Sequence, residues 1–160
     1  MNAVKDTPAD EGLESYSDDA LRDAMELLFF AYRDFTAEPD NILSDYNFGR
    51  AHHRVIHFVG RNPGMTVSQL LGILRITKQS LSRVLRELVS DGFIAQDAGP
   101  TDRRQRLLRL TEKGRALEVQ VSEDQRRRIQ RAFTAAGLAG VDGFSRVLNA
   151  MINEAGERQT

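Results

Sequence analysis

The stretch TKQSLSRVLRELVSDGFI at residues 77–94, followed by DRRQRLLRLTEKG at residues 102–114, decides the fold of this 160-residue chain. Thr77 is a favourable helix-capping residue. The apolar residues after it recur at helical spacing, at Leu81, Val84, Leu85 and Leu88. Gly92 then suits a left-handed helix cap. The first stretch therefore predicts one amphipathic helix that ends at about Ser90.

A β-hairpin is predicted directly after this helix, because the apolar period changes. Residues 93–96 and 107–110 are short apolar runs that favour strands. Residues 98–102, AGPTD, have the composition of a turn. The predicted hairpin carries three arginines near its tip, Arg103, Arg104 and Arg106.

A second, shorter helix is predicted just before Thr77. Thr66 and Gln69 have the T-x-x-Q spacing of a capping box, which opens a helix to about Leu74. An earlier helix is predicted from about Gly49 to Arg61, ended by Asn-Pro-Gly. Two helices joined by a tight turn and followed by a hairpin form a winged helix-turn-helix.

Longer helices are predicted on both sides of this unit. Ser17 starts the first, which carries an apolar stripe of Leu21, Met25, Leu28, Phe29 and Tyr32. Pro39 is expected to end it, with residues 40–47 as a loop. A helix is expected from Glu112 to Ala136, followed by an interruption over residues 137–143 and then by a last helix. Residues 1–16 are polar and acidic, and they predict a flexible tail.

The net charge of −1 averages over segments of opposite sign. Residues 1–48 hold three basic and twelve acidic residues, a net charge of −9, whereas residues 49–131 hold seventeen basic and eight acidic residues, a net charge of +9. A basic central segment is typical of a surface that faces a polyanion. The alternative is that the two segments neutralise each other within the fold.

The exposed face of the predicted helix 77–90 has the side chains that read double-stranded DNA. Lysine and arginine reach guanine acceptors, glutamine pairs with adenine, and serine allows close approach to phosphates. An arginine-tipped hairpin suits the flanking minor groove. The alternatives are a solvated helix face and a charged hairpin that prevents edge pairing. The predicted DNA-binding residues are Thr77, Lys78, Gln79, Ser80, Ser82, Arg83, Arg86, Asp102, Arg103, Arg104 and Arg106.

From about Ser17 to Ile152 the chain resembles the MarR family of bacterial winged-helix regulators. Residues 102–114 are similar to the family's D-x-R-x-x-x-x-x-L-T-x-x-G wing pattern. Residues 79–88, followed by Gly-Phe-Ile at 92–94, are similar to its recognition helix and second strand. Lys78-Gln79 stands where many members carry a proline.

The resemblance implies a mainly α fold with a small β-hairpin wing, in which terminal helices of two chains interlock into a homodimer. The implied organisation has an N-terminal dimerisation helix and loop at 17–48, a DNA-binding domain at 49–111 and C-terminal dimerisation helices at 112–160. It places Arg104 in the minor groove, with Asp102 orienting the arginine or the wing. In the family the effector pocket lies near the helix that carries His52 and His53. We therefore predict an effector pocket that includes Phe29, Tyr32, Phe48, His52 and His53. For the aromatic residues the alternative is packing in the core, which is the more frequent role of an aromatic stripe on helices.

The histidines at 52, 53 and 57 allow three interpretations. His53 and His57 have the i, i+4 spacing of two zinc ligands on one helix, but the sequence offers no cysteine and no evident further ligand. Ordinary hydrogen-bonded histidines in the core or at an interface are the favoured interpretation. Ligand-pocket residues are the third. We predict no metal and no cofactor.

Several functional classes are excluded or disfavoured. The absence of cysteine rules out disulfides and thiolate chemistry, and no apolar run approaches a membrane span. No phosphate-binding loop or nucleophile motif is present, so we do not expect an enzyme. We predict a cytoplasmic, homodimeric transcriptional regulator, a repressor that binds a pseudo-palindromic DNA operator and is released by a small-molecule effector where one exists. The alternative is a winged-helix protein-interaction module without an operator.

Overall fold

The computed structural model describes residues 16–152. The described chain forms two compact units, one ending at Asp34 and the other beginning at Phe35. No helix within residues 16–152 is long and apolar enough to cross a membrane. The predicted tail at 1–16 lies outside the described residues except for Tyr16. The elements, in chain order, are α1 (Asp18–Ser44), α2 (Arg50–Arg61), β1 (Met65–Thr66), α3 (Val67–Leu74), α4 (Lys78–Ser90), β2 (Ile94–Ala98), β3 (Arg106–Leu110) and α5 (Glu112–Met151).

The small sheet has three antiparallel strands in the order β1-β3-β2. The predicted hairpin is confirmed as β2 and β3, with Ile94 opposite Leu110 and Ala98 opposite Arg106. The third strand, β1, pairs Met65 with Leu108 and was not predicted. Two residues are too few to show an apolar alternation, so only the tertiary pairing reveals this strand.

The apolar face predicted for residues 81–88 forms part of one core. All four of its apolar residues are buried, with Leu81, Val84 and Leu88 at most 1% exposed. They pack in a cluster with Val55, Ile56 and Val59 of α2, with Leu108 and Leu110 of β3, and with Leu117 and Val121 of α5. The core therefore joins the helix-turn-helix to its wing and to the start of α5.

The predicted end of α1 at Pro39, with a loop over 40–47, was wrong. The helix continues through Pro39 to Ser44, so only residues 45–47 of the predicted loop are non-helical, and Pro39 is buried. A proline inside a helix removes the N–H that would bond the carbonyl four residues earlier, which here is that of Phe35. Gln125 Nε2 donates to this carbonyl at 3.1 Å. A side chain from α5 thus supplies the missing donor, and the fully buried Leu43 packs the last turn into the core.

The predicted interruption of α5 over residues 137–143 was also too long. Only Gly137 has a non-helical backbone, with φ 70° and ψ 176°. Glycine adopts this region without a side-chain penalty. Gly140 and Gly143 stay helical, because an interior glycine weakens a helix by about 1 kcal/mol without ending it.

Candidate nucleic-acid interface

Helix α4 is set by signals at both of its ends. Thr77 Oγ1 accepts a hydrogen bond from the backbone N–H of Ser80 at 3.1 Å, and the Thr77 hydroxyl donates to Ser80 Oγ at 2.8 Å. The predicted cap is therefore confirmed. At the other end Gly92 has a φ of 78°, the predicted left-handed conformation. The two signals fix which residues of α4 face the core.

The turn between α3 and α4 is short and strained at one residue. The capping box predicted for α3 is present, since Thr66 Oγ1 accepts from Gln69 N and Gln69 Oε1 accepts from Thr66 N. Arg75 then takes a left-handed backbone, with φ 49° and ψ 41°, and Thr77 already caps α4. A non-glycine residue in this region is uncommon, and no sequence signal predicted it.

Burial of the inner face of α4 leaves its predicted front exposed. The residues of that front are Thr77, Lys78, Gln79, Ser80, Ser82, Arg83 and Arg86, and all seven are exposed. Three are cationic, and the others are hydroxyl or amide side chains. The structure thus brings together on one helix the donors and acceptors that major-groove edges require.

The wing is shaped by hydrogen bonds within its loop. Asp102 Oδ1 accepts the backbone N–H of Arg104 at 2.9 Å, and Gln105 N donates to the Asp102 carbonyl at 3.0 Å. Asp102 therefore contacts the backbone of the wing tip. A Cβ at Gly99 would lie 2.7 Å from the Asp102 carbonyl, so the loop requires glycine there. The predicted arginines, Arg103, Arg104 and Arg106, are all exposed.

An ion pair on the wing strands was not predicted from sequence. Arg109 Nε donates to Asp97 Oδ2 at 2.7 Å, joining β3 to β2 on the exposed face of the hairpin. The two residues are diagonal neighbours, because Asp97 is opposite Leu107 and Ala95 is opposite Arg109. The pair became visible only with the strand register, which the sequence left uncertain.

Phe48 and His52, assigned to an effector pocket, are buried beside α4. Their rings stack, with centroids 4.6 Å apart and planes 9° apart. Gly49 N donates to His52 Nδ1 at 3.1 Å, so the proton of the neutral ring is on Nε2. His52 Nε2 then donates to Glu87 Oε2 at 2.6 Å. Glu87 was not among the predicted site residues, because a lone acid on a basic face gives no sequence signal.

The carboxylate of Glu87 is shared between His52 and a residue of the predicted front. Arg83 Nη1 donates to Glu87 Oε1 at 3.4 Å, one helical turn away. The hydrogen bond from His52 lowers the pKa of Glu87, and the charge of Arg83 lowers it further. Glu87 therefore remains ionised at neutral pH and links α2 to the exposed face of α4.

The other predicted pocket residues lie in different environments. Phe29 and Tyr32 are exposed side chains of α1, 63% and 43% accessible, and His53 is half-buried on α2. Burial lowers the pKa of His53, with a contribution from His57, and burial also lowers the pKa of His57. No group of three potential ligands that could hold a metal occurs within residues 16–152. The effector pocket stays a prediction.

Known proteins are similar to this chain in sequence and in fold. The sequence profile of the MarR family matches residues 46–105. The HTH-type transcriptional regulator PetP of Rhodobacter capsulatus is 51% identical over 151 residues, covering 94% of this chain and 91% of PetP. This relative extends the similarity well beyond the helix-turn-helix.

Solved structures match the fold at lower identity. Streptococcus pneumoniae FabT, crystallised in complex with DNA, superposes with a TM-score of 0.71 at 20% identity, covering 83% of this chain and 94% of that one. A MarR mutant from E. coli, complexed with operator DNA, superposes with a TM-score of 0.62 at 20% identity, covering 87% of this chain and all of that one. With the near full-length relative, these findings establish that the chain belongs to the MarR family of transcriptional regulators.

Proposed function

We propose that the protein is a homodimeric, cytoplasmic regulator that binds a pseudo-palindromic double-stranded DNA operator and represses transcription. The observation that carries the proposal is the exposed front of α4, backed by a fully buried inner face and followed by an arginine-tipped wing in the same compact unit. Relatives of the same fold were crystallised with DNA, and one of these with an operator.

In this proposal α4 enters the major groove and the wing tip reaches the flanking minor groove. Gln79 and the cations of α4 would contact base edges, and Ser80 and Ser82 would approach phosphates. Arg104 would respond mainly to groove width and phosphate charge. Residues 49–111 would form the DNA-binding domain.

The dimer would form from residues 17–48 and 112–160. Both segments expose large apolar side chains, among them Met25 at 71%, Phe29 at 63% and Leu138 at 91%. Apolar exposure on this scale is typical of an interface. A second copy of the chain is the partner that places two copies of α4 in successive major grooves, about 10 base pairs apart.

A small-molecule effector would act by changing the separation or pose of the two recognition helices. Its proposed site includes Phe48, His52 and His53 of the second compact unit, and Phe29 and Tyr32 stay a prediction from the sequence. Support comes from the contact between His52 and Glu87, because a ligand that displaced Phe48 or His52 would disturb a residue of α4 directly.

The decisive experiment is selection of bound fragments from the source genome at moderate salt, followed by footprinting. We expect one or a few sites with two-fold symmetry, each protected on one face of the duplex over two successive major grooves. Binding without sequence preference, or a footprint over a single half-site, would contradict the proposal. Failure to select any DNA would favour the protein-interaction alternative.

Two variants separate the proposed roles of wing and helix. Arg104→Ala should weaken operator binding and reduce the salt slope by roughly one per lost phosphate contact, and so by about two per dimer. Gln79→Ala should relax preference at one position per half-site by about 1–3 kcal/mol and leave the salt slope nearly unchanged. If Arg104→Ala changes neither affinity nor salt slope, the wing does not contact DNA.

A further inference from the structure

The acidic residue Glu87 is unexpected within a basic helix face proposed to meet DNA. A carboxylate near phosphates is repelled, and the pair that Glu87 makes with Arg83 is an exposed i, i+4 pair, which alone contributes little. An isolated surface pair would also leave both side chains mobile. The structure shows that Glu87 is not isolated.

A chain of hydrogen bonds connects the start of α2 to the guanidinium of Arg83. Gly49 N donates to His52 Nδ1, His52 Nε2 donates to Glu87 Oε2, and Arg83 Nη1 donates to Glu87 Oε1. The middle contact, at 2.6 Å, is short and charge-assisted. His52 is 5% exposed and stacks flat against Phe48, and both features restrict rotation of its ring.

From this arrangement we propose that Glu87 is a positioning residue, which with His52 holds Arg83 on the front of α4 for base reading. This inference rests on the proposed DNA-binding function. The carboxylate accepts from Nη1 of Arg83 at 3.4 Å, and a guanidinium has further N–H donors with which to contact a base edge. Part of the ordering cost of a long side chain is thus met before DNA binds.

The partial neutralisation of Arg83 also acts on specificity. A phosphate attracts any nearby cation, whereas a guanine edge also requires correctly placed parallel donors. An arginine that is already paired gains less from a phosphate and still gains the directional contact with a base. Glu87 should therefore lower non-specific binding and raise the discrimination of Arg83 between bases.

The primary variant is Glu87→Gln, which keeps the size and helix propensity of the side chain. Glutamine has only one acceptor oxygen, and the buried N–H of His52 should bind it in preference to the exposed Arg83. Arg83 should therefore lose its contact with residue 87. Asp91→Asn is the matched control, because it removes one exposed carboxylate from the C-terminal end of the same helix. Glu87→Asp keeps the charge but is one methylene too short to serve both partners.

A first measurement needs no DNA. Rotation of the arginine guanidinium groups in the full-length dimer can be followed by NMR, with Arg86 as the internal reference. Arg86 lies on the same helix and makes no ion pair within residues 16–152. Arg83 should rotate more slowly than Arg86 in the wild-type protein and equally fast in Glu87→Gln. Equal rotation of the two arginines in the wild type would overturn the proposal.

The second measurement uses the operator selected by the wild-type protein and a panel of single-base changes. Glu87→Gln should lower discrimination at one base pair per half-site about tenfold, with higher affinity for non-specific DNA. Glu87→Asp should lower discrimination without that rise in non-specific affinity. Asp91→Asn should alter overall affinity and leave base preference intact. In an Arg83→Ala background, adding Glu87→Gln should reduce preference no further.

The possible failures are distinguishable. If the wild type selects an operator but Glu87→Gln changes no base preference by more than twofold, the positioning role is wrong and the proposed function stands. The positioning role is equally wrong if preference falls further in the Arg83→Ala background, because Glu87 would then act without Arg83. If the wild type selects no operator, the proposed function fails, and the base-reading role of Arg83 fails with it.

Discussion

The contact between the start of α5 and Phe93, the residue just before β2, makes Gly114→Ala the sharpest test of the packing. A Cβ at residue 114 would overlap the carbonyl oxygen of Phe93 and would lie 3.1 Å from its carbonyl carbon and 3.3 Å from Leu110 Cβ. Real Cβ contacts essentially never fall below 3.0 Å, and the atom met here belongs to the backbone, so the first turn of α5 and Phe93 must move apart.

That movement acts on hydrogen bonds as well as on packing. The Phe93 carbonyl accepts the backbone N–H of Thr111 at 3.0 Å and the Thr111 hydroxyl at 3.2 Å, and both contacts would lengthen. Overpacking at a buried site costs about 1–3 kcal/mol, and a weakened hydrogen bond costs about 1 kcal/mol more. We expect Gly114→Ala to lower the free energy of unfolding by about 3 kcal/mol, or Tm by about 6–12 °C.

Urea unfolding at a fixed protein concentration measures this effect, since dimerisation would make stability concentration-dependent. Gly72→Ala is the matched control. Gly72 lies inside α3, and a Cβ there would meet no atom within 4 Å outside its chain neighbours and the backbone of its own helix, so alanine should raise the free energy of unfolding by about 0.5–1 kcal/mol. If Gly114→Ala were as stable as wild type, the direct contact between α5 and Phe93 would be absent from the protein.

Three further predictions test other contacts. Gln125→Ala should lower the free energy of unfolding by about 1–3 kcal/mol in urea titrations, because the part-buried Phe35 carbonyl loses its donor; a change below about 0.5 kcal/mol would contradict this. Burial lowers the pKa values of His53 and His57, so the unfolded chain binds more protons than the folded chain below about pH 6.5. The contribution of these histidines to stability should therefore be complete above about pH 6.5 and should be lost as the pH falls through their lower folded pKa values. Replacing both histidines with glutamine should flatten this pH dependence in thermal melts from about pH 7.5 to 5. Phe144→Asp, at an exposed apolar position of α5, should weaken the proposed dimer at least about tenfold in sedimentation equilibrium, and an unchanged dimer would place its interface elsewhere.

The local signals in the sequence were sufficient for most elements of the helix-turn-helix. Thr77 and Gly92 delimited α4, and Thr66 with Gln69 delimited the start of α3, because capping depends on residues a few positions apart. The helical spacing of the apolar residues predicted which side chains of α4 are buried. The remaining positions of the helix were then predicted to form its exposed front. The composition of residues 98–102 predicted the turn of the wing. These predictions use short-range geometry, which a single sequence contains in full.

Contacts between residues far apart in the chain decided the features that the sequence did not predict. The continuation of α1 through Pro39 depends on Gln125, a donor about 90 residues away in the chain, and no local rule could supply it. Strand β1 exists only because Leu108 lies opposite Met65. Glu87 appeared to be one acid among arginines, and its contact with His52 of α2, at 2.6 Å, became visible only in the tertiary structure. The sequence by itself determined which residues cap, turn and face outward, because those properties depend on near neighbours. Only the tertiary structure decided which buried groups satisfy one another, because each such pairing joins residues whose separation along the chain carries no information about their distance in space.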